Sequence, residues 1–226
     1  MRIPKVPLII LLFLCNSSFA QQPEYVPMAA GTTWSFKGTV KWTELVNKIK
    51  QRKITWKMEV EKRLKNGSFE IAVMKGHPSD LCWYEPDKKP SRYLIVWRDN
   101  KYYEIRIDND FDKLISDEAY LSSKTNYSSL FLAIPLKRGL EFGSDPDTPR
   151  EGTFYEWFVE DEQRGLFSHV TGIPHGKYYQ KFTLMYRTMP DHQMVEFVPF
   201  VGITKYSYQH HGTVSEVDVR LTEFRK

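Results

Sequence analysis

The sequence predicts an all-β fold with minor helix: a large curved antiparallel sheet, a half-barrel or open barrel, carrying one or two short helices. Three observations predict it. Apolar side chains alternate at period two over long stretches, turn pairs stand between those stretches, and strand patterns occupy both ends of the chain with no Gly/Ser linker or charge block dividing it.

The first strand is read from Trp34, Phe36, Val40 and Trp42 at even positions, against Thr33, Ser35, Lys37, Thr39, Lys41 and Thr43 at odd ones. Successive side chains of a strand point to opposite faces, so this segment has one apolar and one wet face. The next repeats the pattern with Ile54, Trp56, Met58 and Val60. Asn66-Gly67 is a hairpin pair leading into Phe69, Ile71 and Val73, and Asp99-Asn100 is a second one, between Tyr93–Trp97 and Tyr102–Ile107. Asp108 to Lys124 is the least strand-like stretch. There Phe111, Leu114, Ile115, Ala119 and Leu121 are expected to line one side of a short helix or of two turns. Gly143 to Gly152, with Asp145-Pro146-Asp147-Thr148-Pro149, has turn chemistry, and strands resume at Phe154 to Val159. Glu160-Asp161-Glu162 is expected in a polar turn before Arg164-Gly165. Further strands follow at Phe182–Tyr186, Val195–Phe197, Gly202–Gln209 and Val217–Leu221, with a last turn at His211-Gly212. About ten strands stay in one open sheet only by curling strongly.

With 226 residues, 41% hydrophobic and 15% aromatic, the chain is too apolar for a disordered protein, and two cysteines are too few for a disulfide scaffold. Residues 1–20 read as a secretory signal peptide. Arg2 and Lys5 precede an apolar run from Val6 to Cys15, and Ser18-Phe19-Ala20 forms a small-x-small cleavage signal. A helix over that run would reach about 15 Å, half of a hydrocarbon core of roughly 30 Å, so no transmembrane anchor is expected. Bulky Leu14 before Cys15 argues against an acylated cysteine. The expected product is one β-rich domain, 21–226, exported to the periplasm or the medium. Arg2 and Lys5 leave with the signal, which halves the formal net charge of +4. The remaining basic cluster, Lys48 to Lys53, is short and reads as a solvated strand end or loop, so no nucleic-acid partner is expected. Cys82 becomes the single cysteine, and in Leu-Cys-Trp-Tyr it reads as a small buried hydrophobe.

Tyr25-x-Pro27-x-x-x-Gly31-x-x-Trp34 stands near the start of the expected domain, and Pro135-x-x-x-Gly139-x-x-Phe142 repeats its spacing 108 positions on. Duplication and coincidence both account for three matched positions. Late in the chain come Pro199-Phe200-Val201-Gly202-Ile203-Thr204-Lys205 and a final hairpin, and Ile173-Pro174-His175-Gly176-Lys177-Tyr178 precedes them. Together these motifs resemble a broad group of secreted bacterial proteins of uncharacterised function. That group pairs Tyr-x-Pro-x-x-x-Gly-x-x-Trp with a late Pro-Gly-Val-Gly-x-Val-Lys segment. The chain departs from it at Phe200, where the group has glycine, and at Thr204, where it has valine. The resemblance implies a curved sheet similar to the half-barrels of periplasmic lipoprotein carriers, and it brings no catalytic residues.

No constellation in the sequence points to catalysis. There is no Gly-x-Ser-x-Gly elbow and no Ser-x-x-Lys, and the six histidines lack metal-ligand spacing, so no metal and no cofactor is expected. His210 and His211 are adjacent on a strand and are expected to point to opposite faces. The aromatic stripe carries the functional reading: Trp34, Phe36, Trp42 and Trp56 share an inward face, as do Tyr93 and Trp97 on a later strand. These six residues either form a filled core or line a groove for an apolar small molecule or lipid. A non-enzymatic exported binding protein is the leading expectation, with a structural module contacting an envelope protein as the alternative. A hydrolase or metal enzyme is the third, and it requires two of His169, His175, His192 and His210 to converge in one cleft.

Overall fold

The computed structural model describes residues 25–45, 48–144 and 154–226. Residues 1–20, expected as a signal peptide, and residues 145–149, expected in a loop, lie outside them. The strands are β1 (Thr33–Leu45), β2 (Lys48–Asn66), β3 (Phe69–Lys75), β4 (Arg92–Arg98), β5 (Lys101–Arg106), β6 (Leu130–Ala133), β7 (Glu141–Phe142), β8 (Trp157–Leu166), β9 (Tyr178–Arg187), β10 (Asp191–Val198), β11 (Gly202–His210) and β12 (Ser215–Arg225). Two short helices, α1 (Phe111–Ser116) and α2 (Glu118–Lys124), lie between β5 and β6. The strands form one 12-stranded sheet in the order β6-β5-β4-β3-β2-β1-β12-β11-β10-β9-β8-β7. Every pairing between neighbours is antiparallel. This is an up-and-down meander curled into a nearly closed barrel. First and last strands pair with each other, and the seam falls between β6 and β7.

The period-two reading holds along β1 and β2. Trp34, Phe36, Val40, Trp56, Met58 and Val60 are buried on the inner face. The parity of β2 changes at a register shift between Val60 and Lys62, after which Leu64 packs on the outer side. On β3 and β4 both faces are buried. Ala72, Met74, Tyr93 and Ile95 point into the barrel, while Phe69, Ile71, Val73, Leu94 and Val96 pack outward against Leu114 of α1 and Leu121 of α2. The two helices thus exist to cover a second apolar face. Ala119 is exposed rather than packed, and Tyr120 takes its place beside the cluster. The Asp117 carboxylate caps α2 by accepting from Tyr120 N (2.9 Å), and Glu118 ties the helix to the β2–β3 turn by accepting from Ser68 N at 3.0 Å.

The turns differ in one detail from expectation. Asp99 and Asn100 both have positive φ (50° and 60°), as a two-residue type I′ loop requires. The earlier hairpin loop is Gly67-Ser68, not Asn66-Gly67, because Asn66 pairs with Phe69 as the last residues of their strands. Glu160-Asp161-Glu162 lies inside β8 rather than in a turn, and Phe154 forms only an isolated bridge to Arg187 ahead of that strand.

The spaced Pro/Gly/aromatic motifs lead into the first strand of each six-strand half of the sheet, β1–β6 and β7–β12. Gly31 N donates to Val60 O and Val60 N donates back to Thr32 O, both at 2.9 Å. Gly139 N likewise donates to Val159 O (2.8 Å), and Val159 N to Leu140 O (2.9 Å). Each valine is followed by a register shift, Val60/Lys62 and Val159/Asp161. Shared hydrogen bonds and a shared bulge at matched positions favour duplication over coincidence.

Candidate functional site

The barrel interior is filled by the chain itself. From one end the β3–β4 connection enters it: Leu81 is fully buried, and the His77 ring packs edge-on against Tyr93, Phe131 and Tyr206, which belong to β4, β6 and β11. From the other end come Val26 and Met28, both buried. The space left among Val26, Trp34, Met58, His77, Tyr93 and Phe197 is about 20 Å³, room for no more than a single water. Trp34, Phe36, Trp56 and Tyr93 are therefore core. Trp34 Nε1 donates to Val201 O (2.5 Å) and Trp56 Nε1 to Gly76 O (2.9 Å), which satisfies both buried indoles. Trp42 and Trp97 are partly buried against the same core, Trp42 with its ring 5.0 Å from that of Tyr84. The structure brings the six sequence-predicted residues onto one inner surface, as packing rather than as the wall of an open groove. The inserted connection is what fills the space, and no periodicity within the strands signals it.

Two separate sets of polar groups are hydrogen-bonded about β10 and β11. Cys82 Sγ lies 3.3 Å from Tyr206 Oη, and Tyr206 Oη donates to Gln193 Oε1 at 3.3 Å. Burial pushes the Cys82 thiol up to about 12, which favours the protonated form at neutral pH. Asp191 accepts from Tyr208 Oη (2.6 Å) and pairs with His210 Nδ1 (2.8 Å). Burial opposes the charged form of Asp191, but the hydrogen bonds from Tyr208 and His210 outweigh it and hold the carboxyl below its usual range. No contact joins any two of His169, His175, His192 and His210. His210 sits with Asp191 and Trp83, His211 with His192, and His169 beside Phe167. His210 and His211 face different partners, but not as neighbours on one strand: β11 ends at His210, and His211 stands in the turn after it. Among the described residues no three of His, Cys, Asp and Glu are grouped to hold a metal.

An apolar surface is available on the rim near Tyr25. A groove of about 320 Å³ is lined by Ile173, Pro174, Tyr178, Tyr179, Phe200 and Phe224, with Lys177 at its edge. Tyr178 is 67% exposed and Phe200 43%, and Leu166, the cross-strand partner of Tyr178, is 46% exposed. Phe200 has φ 68°, a left-handed conformation that disfavours a side chain bearing Cβ. It is held there by Phe200 N donating to Tyr25 O (2.8 Å) and by the Tyr25 ring 5.8 Å away, edge-on. The loop carrying Ile173 is strapped to β12 by Thr171 N to Thr222 O (3.0 Å) and Phe224 N to Thr171 O (2.8 Å). A second depression, about 440 Å³, lies on the outer face across β1, β12, β11, β10 and β9 and is lined largely by polar side chains.

The basic cluster Lys48 to Lys53 belongs to the part of β2 that extends beyond its pairing with β3, which covers Glu59 to Asn66. Cations along such an edge discourage pairing with a foreign strand. No helix among the described residues is long and apolar enough to cross a membrane.

No family model and no curated protein matches the chain. Two solved structures are similar to it. One is a Bacteroides fragilis protein described as exported, with a YmcC-like fold, at 10% identity and TM-score 0.40, covering 90% of this chain and 100% of that one. The other is a Parabacteroides distasonis protein described as a lipoprotein, at 9% identity and TM-score 0.39, covering 90% of this chain and 99% of that one.

Proposed function

We propose that the chain is an exported, non-enzymatic binding protein that takes an amphiphile, an apolar chain with an anionic head, in the rim groove rather than in the barrel interior. The observation that carries this reading is Phe200: a bulky ring in a left-handed turn, half exposed, over a groove lined mainly by apolar and aromatic side chains. Strained positions of this kind persist where surrounding structure over-determines them, and they cluster at binding sites. The groove volume falls at the lower end of the range for small-molecule sites, and its lining is apolar with few polar groups, as such sites are. The Lys177 ammonium at the edge complements a carboxylate or phosphate head. The packing of Trp34, Phe36, Trp56 and Tyr93 within the barrel supports placing the ligand outside it.

Native mass spectrometry of protein purified from envelope fractions, followed by titration with a fluorescent fatty acid, tests the proposal. Stoichiometric binding that falls in Phe200→Gly and in Lys177→Glu is expected. Binding unchanged in both variants, or absent from the wild type, overturns it.

A further inference from the structure

The chain has seven methionines, and their distribution is uneven. Met28, Met58 and Met74 are buried in the barrel. Met185, Met189 and Met194 all fall on β9, β10 and the turn between them, and none of these three is buried. Met185 is the direct cross-strand partner of Met194, so both side chains leave the same face of the sheet with Cβ atoms about 4.5–5.5 Å apart. His192, two residues before Met194, shares that face. All three line the outer depression. His211 joins them from the turn after β11, its Nε2 3.4 Å from His192 Nδ1 and its ring centre 4.6 Å from that of His192. Met189, 75% exposed, stands in the adjoining turn, where Pro190 O accepts from His211 N (2.7 Å).

Two thioethers and two imidazoles on one face form a soft, neutral donor set. Hard cations want carboxylates and carbonyls, whereas thioether sulfur selects Cu(I) and imidazole suits copper as well. Glu216 and Asp218 border the same depression and offset the charge of a bound cation, although Lys41 already pairs with Glu216 at 2.7 Å. Arg187, the cross-strand neighbour of His192, is paired with Glu160 at 3.2 Å, which tempers its repulsion of a cation. A solvated strand face does not require two facing methionines. Threonine or lysine would serve it, as they do at Thr183 and Lys181 along the same strand.

We propose that Met185, Met194, His192 and His211 form a binding site for a soft monovalent cation of the Cu(I) class on the outer face of β9 and β10. The site is independent of the rim groove.

The test uses full-length processed protein, stripped with a chelator and carrying 13C-methyl methionine, titrated anaerobically with Ag(I) as a redox-inert stand-in for Cu(I). The methyl signals of Met185 and Met194 are expected to shift and saturate at one equivalent while those of Met28, Met58 and Met74 stay in place. The buried methionines serve as the internal control. Competition against a chromophoric Cu(I) chelator is expected to give the same stoichiometry. Met185→Leu and Met194→Leu are each expected to weaken binding by at least the roughly tenfold that losing even an outer partner costs a metal site. Leucine keeps the volume and hydrophobicity of these partly exposed positions, so circular dichroism and the denaturation midpoint are expected to stay unchanged. Absence of methyl shifts at equimolar Ag(I), or equal Cu(I) affinity in the double Met→Leu variant, overturns the proposal. The latter result would mean an adventitious two-histidine contact only.

Discussion

Replacing Trp34 distinguishes a packed interior from an open groove. The side chain is 1% exposed, its ring lies 5.7 Å from that of Phe224, and its Nε1 donates to Val201 O at 2.5 Å. Truncating a buried Trp to Ala in a close-packed core removes about 3–5 kcal/mol, because the transfer term and the cavity term add. Trp34→Ala also withdraws the donor from a buried carbonyl, which places the expected loss at the upper end of that range. Against a typical stability of about 5–15 kcal/mol, it is a large fraction. Trp34→Phe keeps most of the volume and loses the donor, and is expected to cost about 1–3 kcal/mol. Urea unfolding followed by circular dichroism measures both through the midpoint at constant slope. If the alanine variant does not fold, the phenylalanine variant still reads the hydrogen bond. A loss below about 0.5 kcal/mol in both variants is surface behaviour, and would refute the assignment of Trp34 to a filled core.

Other expectations follow from the same geometry. Phe200→Gly relieves about 1–2 kcal/mol of left-handed strain, adds about 0.4–1 kcal/mol of chain entropy and loses an edge contact worth about 0.5–1.5 kcal/mol. Its stability is therefore expected within about 1 kcal/mol of wild type while groove binding falls; a collapse in stability would show the ring to be structural. Gly38 sits where β1 pairs with β12, and a Cβ there would lie 1.9 Å from Asp218 O. Gly38→Ala is expected to destabilise by about 3 kcal/mol, the upper end for overpacking, and a neutral result would contradict the tight closure between first and last strands. Cys82 is expected to resist thiol reagents at pH 8 in the native protein and to react at once in guanidinium; rapid native labelling would contradict its burial. Its folded pKa of about 12 lies above the ordinary 9.0, so the unfolded chain releases the thiol proton first. This group's contribution to stability is complete below pH 9 and is lost as pH rises from there to about 12, which unfolding of Cys82→Ala as a function of pH isolates.

The strands were legible because alternation is a local property. Trp34, Phe36, Met58 and Val60 declare an inward face within a few residues of sequence, and Asp99-Asn100 declares its own turn through the positive φ that asparagine and aspartate tolerate. The continuous run Leu94-Ile95-Val96 also carried information, since a strand apolar on both sides needs cover on both, and α1 with α2 supplies the outer cover. The bulge after Val60 and the hairpin loop at Gly67-Ser68 were not legible, because a shift by one residue depends on which partner strand is hydrogen-bonded across it. The Met and His residues of β9 and β10 were equally silent in sequence. Met185 and Met194 become neighbours only through the register of one hairpin, and His211 reaches His192 only through the pairing of β11 with β10.

The amino-acid sequence by itself determined an antiparallel sheet, its alternating faces, its helical interruption and the aromatic stripe on its inner side, all of which follow from side-chain periodicity and turn chemistry. Tertiary structure alone decided what the stripe does. Whether inward-facing tryptophans line a cavity or a core depends on how much chain enters the barrel. The segment from His77 to Tyr84 and the one from Tyr25 to Met28 enter it from opposite ends, leaving about 20 Å³ where a carrier would keep its ligand. Packing of segments distant in sequence thus closes the interior and leaves the apolar contact surface on the rim, around Phe200.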